Sequence, residues 1–167
     1  LLLRLKLKEN TIRTEKFFVF GMRSDIVHKR IHELQHHPAF ATLGVHFHRK
    51  TQNMSEWSLQ YEISHILDAD VLDAISVINI GGGLPSVYAN TNVNVMQSIF
   101  RKVSECKEWL NLKNIKLMIE PGRFIAASAG KLHTTIVAIH EQNIIVDVSV
   151  YNSDMDALIV PVKLLVE

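Results

Sequence analysis

The chain has 167 residues, of which 47% are hydrophobic and 21% are charged. This length and composition are typical of a folded globular domain with a sizeable core, and they argue against an intrinsically disordered segment. Eighteen basic and seventeen acidic residues give a formal net charge of +1. We therefore expect no nucleic-acid partner and no attraction to an anionic membrane, and a small-molecule partner fits better.

Cysteine content and the chain ends add expectations about location and completeness. Cys106 is the single cysteine, which favours a reducing compartment, and we predict a cytoplasmic protein. No apolar run approaches the roughly 18 residues of a membrane-spanning helix. The chain begins without Met on a strand-like run and ends on Leu164-Leu165-Val166, so we expect a fragment cut at both ends.

Four short apolar runs predict β-strands that alternate with segments of helical period. The runs are residues 1–7, 43–48, 77–80 and 116–119. Their continuous apolar character predicts parallel strands covered on both faces. Alternating βα units occur both in closed barrels and in open doubly wound sheets, so this pattern leaves both architectures open.

Helical periods and cap signals lie between these runs. Ser24 predicts the N-cap of a helix that extends to about Gln35, and Asn53 with Glu56 three positions later predicts the cap of a second helix. The clearest helical period has its apolar residues at Val95, Met96, Ile99, Phe100, Val103, Cys106, Trp109 and Leu110. We expect this apolar face to pack on the sheet.

The pattern changes after Gly130. Two strand-like runs, residues 134–140 and 143–150, flank Glu141-Gln142 with no helical period between them. They predict an antiparallel hairpin. We therefore expect an α/β unit over residues 1–130 and the beginning of a β domain over residues 131–167.

Three polar or glycine-rich clusters follow predicted parallel strands. They are His46-Phe47-His48 with Thr51, then Gly81-Gly82-Gly83, then Glu120-Pro121-Gly122-Arg123. The carboxyl ends of parallel strands are where α/β proteins build their ligand sites. We expect the three clusters to meet in one site.

The residue types in these clusters suit a phosphorylated aromatic ligand. The backbone of Gly81–Gly83 can approach an anion closely, and the Arg123 guanidinium can bind a phosphate through two hydrogen bonds. Glu120 ends an apolar strand, where its carboxylate needs either solvent or a cationic partner such as a protonated pyridine nitrogen. His48 can stack on an aromatic ring, and the Thr51 hydroxyl can reach a phosphate.

Each feature also has a purely structural interpretation. The glycines can form a tight turn, Arg123 can be a surface arginine and His48 can be a structural histidine.

Other kinds of site are disfavoured. No cysteine or carboxylate accompanies His46 and His48 at metal-ligand spacing, so we expect no metal. The sequence contains no GxSxG, GxxxxGK[ST] or complete GxGxxG motif, which argues against a hydrolase elbow, a phosphate loop and a standard dinucleotide fold.

Taken together, these motifs resemble the barrel-domain motifs of the fold-type III pyridoxal-phosphate (PLP) decarboxylases, the ornithine/diaminopimelate/arginine decarboxylase type. The matching segments are Gly44-Val45-His46-Phe47-His48 with Thr51-Gln52, Ile78-Asn79-Ile80-Gly81-Gly82-Gly83-Leu84-Pro85, and Ile119-Glu120-Pro121-Gly122-Arg123-Phe124. The resemblance implies an α/β fold that forms part of a PLP-binding (β/α)8 alanine-racemase-like barrel, followed by the start of an antiparallel β domain.

The resemblance also implies roles for individual residues. His48 would stack on the pyridine ring and Glu120 would pair with the ring nitrogen, which makes these two the expected catalytic residues. The expected phosphate contacts come from Thr51, from Gly81, Gly82 and Gly83, and from Gly122 with Arg123. The implied reaction is decarboxylation of a basic or diamino acid by a homodimeric parent enzyme.

Three departures from the family pattern qualify this expectation. The family usually has Gly-Ser after the neighbour of the histidine, whereas this sequence has Arg49-Lys50-Thr51, and we expect the two basic residues to add two positive charges beside the phosphate. Val160 stands where the diaminopimelate branch commonly has an arginine, which argues against diaminopimelate. The lysine that carries PLP in the family has no counterpart here, so we expect the fragment alone to be inactive.

Two alternatives remain open from the sequence. One is a non-catalytic regulatory homologue similar to the antizyme inhibitors, and the other is a PLP-dependent racemase on a related barrel. The retained glycines, Glu120 and Arg123 argue against the first. Glu120 argues against the second, because that class generally uses a different partner for the ring nitrogen.

Overall fold

A parallel sheet of four short strands organises the chain. The computed structural model describes residues 1–7, 20–49, 52–160 and 162–167. Strands β1 (Leu2–Arg4), β2 (Gly44–His46), β3 (Val77–Asn79) and β4 (Lys116–Met118) lie in the order β1-β2-β3-β4. All three neighbouring pairs are parallel, which confirms the prediction from the four apolar runs.

Helices between the strands cover one face of this sheet. They are α1 (Ser24–Leu34), α2 (Leu59–Ile66), α3 (Ala69–Ala74) and α4 (Met96–Asn111), which a 3-10 turn at Val93–Val95 precedes. Val45 and Ile78, at the centres of β2 and β3, are fully buried in the core with Cys106 and Leu110 of α4. The predicted apolar face of α4 therefore packs on the core as expected, except at Phe100, which is 42% exposed.

The two predicted helix caps are wrong in detail. Ser24 is the first residue of α1 rather than its N-cap, and the N-cap Arg23 makes no side-chain capping bond. The side chain of Asn53 accepts hydrogen bonds from the backbone N–H groups of Ser55 and Glu56 at 3.5 and 3.1 Å, whereas α2 begins only at Leu59. These bonds stabilise a local turn ahead of the helix.

Burial of the strands differs across the sheet. All three residues of β3 are buried, as predicted, but Lys116 and Met118 of β4 are exposed. The prediction of burial on both faces is therefore wrong for β4, because β4 is the last strand in the sheet and only Leu117 faces the helices. It is also wrong for β1 at the other end of the sheet, where Arg4 is exposed. Beyond the other edge, Met22 forms an isolated parallel bridge to Leu5.

The segment after β4 begins with the short helix α5 (Arg123–Ala126) and continues into an antiparallel hairpin. Its strands are β5 (Ile136–His140) and β6 (Asn143–Val146), and Glu141 in the turn has a positive φ of 53°. The hairpin prediction is confirmed, although β6 is shorter than expected because helix α6 (Val150–Ser153) follows, and then α7 (Asp156–Ile159). The division at residue 130 stays a prediction.

Candidate functional site

Polar side chains form a row across the carboxyl ends of the parallel strands. Arg4 lies beside His46 in the register, His46 beside Asn79, and Asn79 beside Met118. Since side chains alternate between the two faces of a strand, this row lies on the face opposite the helices. Glu120, two positions after Met118, extends the row toward the loops.

Asn79 connects the glycine loop to the carboxylate of Glu120. Its Nδ2 donates a hydrogen bond to Oε1 of Glu120 at 2.7 Å, and its Oδ1 accepts one from the backbone N–H of Gly81 at 2.8 Å. The Glu120 backbone N–H donates to the Gly81 carbonyl at 2.8 Å. The sequence prediction omitted Asn79, although a lone amide between Ile78 and Ile80 in an apolar strand was the available signal.

The second oxygen of Glu120 faces His46. His46 Nε2 lies 3.7 Å from Glu120 Oε2, and the side chains are 17% and 52% exposed. Asn79 thus anchors one oxygen of a half-exposed side chain, and the other oxygen lies beyond ordinary hydrogen-bond distance of His46. Among the described residues, no group of three or more His, Cys, Asp or Glu side chains is arranged to hold a metal ion.

His48 presents an exposed imidazole beside the glycine loop. The backbone N–H of Gly82 donates to its Nδ1 at 3.2 Å, so the proton of the neutral ring lies on Nε2. Desolvation lowers the pKa of His48 below its usual 6.5, the positive charges of Arg4 and Arg123 lower it further, and Glu120 partly opposes them. The site therefore favours a neutral, flat ring.

The glycines are required by close packing between the strand ends. Gly81 and Gly83 have positive φ angles of 66° and 99°, which side-chain-bearing residues rarely adopt. A Cβ on Gly81 would lie 2.5 Å from a backbone oxygen of the neighbouring strand end, and one on Gly82 would lie 2.9 Å from the backbone oxygen of Glu120 and 3.0 Å from Cε1 of His48. The bare loop thus brings the three strand ends together.

The last cluster places Arg123 at the start of α5, after Gly122. Arg123 is partly buried, and it is near enough to influence the pKa of His48. A Cβ on Gly122 would meet nothing within 4 Å. The structure therefore brings His48, the glycines and Glu120 together with Arg123 nearby, while Thr51 lies outside the described residues.

The expectation that Arg49 adds a positive charge beside the phosphate is wrong. Arg49 is only 2% exposed, and it donates to the Glu56 carbonyl and to Oε2 of Glu62, both at 2.5 Å. Its guanidinium lies 5.7 Å from the centre of the Trp57 ring. Arg49 shares the helix-facing side of its segment with Phe47, because successive extended residues alternate between faces. Lys50 lies outside the described residues.

Comparison with protein-family models decides the family. Residues 1–127 match the model of the pyridoxal-dependent decarboxylases, pyridoxal binding domain. This chain belongs to that family. The match confirms the resemblance based on the strand-end motifs, and it confirms the α/β fold as part of the PLP-binding barrel. A search of curated proteins finds no match.

Solved structures of this fold include decarboxylases of several amino acids. The lysine/ornithine decarboxylase from Vibrio vulnificus complexed with putrescine has a TM-score of 0.70 and 21% identity, over 98% of this chain and 45% of that chain. The lysine decarboxylase from Selenomonas ruminantium has a TM-score of 0.67 and 18% identity, over 96% and 44%. The diaminopimelate decarboxylase from M. jannaschii in co-complex with L-lysine has a TM-score of 0.63 and 23% identity, over 90% and 38%.

These similarities show the fold, and their coverage shows how the length of this chain compares with the lengths of the solved proteins. The chain spans less than half the length of each of these three proteins. No helix among the described residues combines the length and the apolar character needed to cross a membrane.

Proposed function

We propose that this chain is part of a PLP-dependent decarboxylase that acts on a basic or diamino acid, and that it supplies one portion of the cofactor site. One observation carries the proposal: His48, Glu120 and the glycine loop meet at the carboxyl ends of adjacent parallel strands. They do so within the 127 residues that match the pyridoxal-dependent family.

The described donor set fits PLP. Glu120 offers a half-exposed side chain whose carboxylate suits a protonated ring nitrogen, and His48 is an exposed residue with a lowered pKa, so its neutral ring can stack on a pyridine ring. When bound, PLP acts as the electron sink for the carbanion that loss of carbon dioxide leaves. The role of Glu120 is to hold the positive charge of the ring nitrogen.

The phosphate end is assigned to Arg123, Gly122 and the glycine loop, with Thr51 as a further hydroxyl donor. Arg123 brings the positive charge that a dianion requires. Within the loop, the Gly81 N–H already donates to Asn79, so Gly81 fixes the loop and we assign the close approach to Gly82 and Gly83. A side chain at Gly82 would fill the space between Glu120 and His48.

The substrate and assembly belong to the same proposal. Two of the solved relatives are complexes with putrescine and L-lysine, which supports a substrate with an amino group on its side chain. We propose a cytoplasmic homodimer without nucleic-acid or membrane partners. We also propose that residues 1–130 belong to the barrel domain and residues 131–167 to the β domain.

The test is to titrate the purified full-length protein with PLP and to record the absorbance spectrum at each step. We expect a cofactor band near the visible edge that shifts when ornithine, arginine or lysine is added, with diaminopimelate as the comparison. Absence of a band, or a band that responds to none of these amino acids, would overturn the proposed reaction.

The Arg123→Ala variant tests the phosphate site separately. Loss of one charge-assisted binding group should weaken PLP binding by about 1.5 to 3 kcal/mol. Arg101→Ala is the matched control, because Arg101 is a surface residue of α4 whose side chain is 69% exposed and whose ion pair with Glu105 spans 3.7 Å. Equal PLP affinity in both variants would remove Arg123 from the site.

A further inference from the structure

We propose that Asn79 is a positioning residue that holds the carboxylate of Glu120 in place for a cationic ring nitrogen. This inference rests on the proposed function, since it presumes that Glu120 faces PLP. Asn79 is 2% exposed, and it lies on β3, whereas Glu120 follows β4. The hydrogen bond from the amide to the carboxylate therefore links β3 to the segment that follows the neighbouring strand β4.

The orientation of the Asn79 amide is fixed by its second partner. Its Oδ1 accepts the Gly81 N–H at 2.8 Å, so only Nδ2 faces the carboxylate of Glu120. A flipped amide would present an oxygen to the carboxylate and a nitrogen to the Gly81 N–H, which loses both bonds. The backbone thus dictates that Asn79 is a donor toward Glu120.

The consequence for Glu120 is that its two oxygens differ. Oε1 is held at 2.7 Å by Asn79, while Oε2 lies 3.7 Å from His46 Nε2, beyond ordinary hydrogen-bond distance. A glutamate side chain has three rotatable bonds, and an exposed one samples several rotamers. Anchoring Oε1 restricts Glu120 to conformations in which Oε2 is presented to a ligand.

A purely structural role for Asn79 is the competing explanation, because the same amide also holds the glycine loop. The Asn79→Asp variant separates the two. It retains an acceptor for the Gly81 N–H and nearly the same volume, but it turns the donor toward Glu120 into an acceptor. Two carboxyl groups at this distance repel each other when both are ionised.

The decisive experiment is a double-mutant cycle with Asn79→Asp and Glu120→Gln in the full-length protein. PLP affinity and the midpoint of thermal unfolding of the cofactor-free protein are measured for each variant. We expect each single variant to bind PLP about tenfold more weakly. Repulsion between the two carboxyl groups should lower the thermal midpoint of Asn79→Asp. In the double variant the new glutamine can donate to the new aspartate, so we expect the thermal midpoint to rise again. PLP affinity of the double variant should be no lower than that of the weaker single variant.

Asn53→Asp serves as the matched control. Asn53 is fully buried, and its Nδ2 donates to the Glu56 carbonyl at 2.9 Å, so the substitution causes the same chemical change away from Glu120. We expect it to lower the thermal midpoint, and we expect its effect on PLP affinity to be additive with that of Glu120→Gln.

Two outcomes separate failure of this inference from failure of the proposed function. If Glu120→Gln leaves PLP affinity unchanged, the proposed role of Glu120 fails and the inference fails with it. If Glu120→Gln weakens binding while Asn79→Asp stays within about twofold of the unmodified protein, only the inference fails. Additive effects of the two substitutions on PLP affinity, without recovery of the thermal midpoint, would show that Asn79 acts through the loop at Gly81. This outcome would also overturn the inference.

Discussion

The backbone N–H of Gly82 donates to Nδ1 of His48 over 3.2 Å, which ties the glycine loop after β3 to the end of the β2 segment. This bond defines the tautomer of the imidazole and orients its plane. It also requires an unprotonated Nδ1, because a protonated nitrogen has no lone pair to accept with. The contact therefore couples the geometry of the site to pH.

Stability should depend on pH through His48. The fold lowers the pKa of His48 below 6.5, so the unfolded chain takes up this proton at a higher pH than the folded chain. The free energy of unfolding then decreases as pH falls below about 6.5 toward the lowered value, and His48 adds no pH dependence well above that window. Substituting His48→Asn, which retains an acceptor, should flatten this decrease. Urea unfolding between about pH 5 and 8 measures it, and identical slopes for both proteins would contradict the prediction.

Gly81 should be intolerant of any side chain. Its φ of 66° and the 2.5 Å approach of an added Cβ to the Phe47 carbonyl mean that Gly81→Ala combines backbone strain with a backbone clash. We expect a loss of about 2 kcal/mol or more in the free energy of unfolding, together with weaker PLP binding. Gly130→Ala is the control, because nothing lies within 4 Å of the added Cβ there; we expect its effect to stay within about 0.5 kcal/mol. Equal stabilities of the two variants in chemical unfolding would refute the packing argument.

Burial explains which parts of the fold were predictable. The strands and α4 were recognisable because a buried face imposes a repeating apolar pattern, as at Ile99, Cys106 and Leu110. Helix starts were not, because Asn53 satisfies a local turn with the bonds expected of a cap. Helix α3, with six residues, is too short to show a clear period.

Site residues were predictable where they directly follow a parallel strand. They were less predictable where membership in the site depends on the face to which a side chain points. His48 and Glu120 belong to strand-end motifs that the parallel sheet brings to one edge. Arg49 is adjacent to His48 in sequence, but the alternation of an extended segment turns it to the opposite face. Asn79 was missed because its importance comes from a contact with Glu120, 41 positions away in the sequence.

Arg49 should matter for stability and not for cofactor binding. Arg49→Met removes the partner of Glu62, whose side chain is 29% exposed. We expect the free energy of unfolding to fall by about 2 to 3 kcal/mol, less than for a fully buried pair because water still reaches Glu62. PLP affinity, measured on the folded variant, should stay within about twofold of the original. A loss of affinity at unchanged stability would instead place Arg49 beside the phosphate.

Cys106 should resist thiol reagents in the folded protein. It is fully buried on α4, and desolvation raises its pKa to about 11, against a smaller opposing effect of Arg49. Since the thiolate is the reactive form, modification at about pH 8 requires opening of the structure around α4. We expect almost no reaction with a disulfide reagent in native buffer and one equivalent in concentrated urea. Ile99→Val, which trims the same core by one methylene group, should accelerate native-state labelling by about fivefold, in proportion to a loss of roughly 1 kcal/mol. Rapid labelling of the native protein, or a labelling rate that Ile99→Val leaves unchanged, would show that the thiol reacts without this opening.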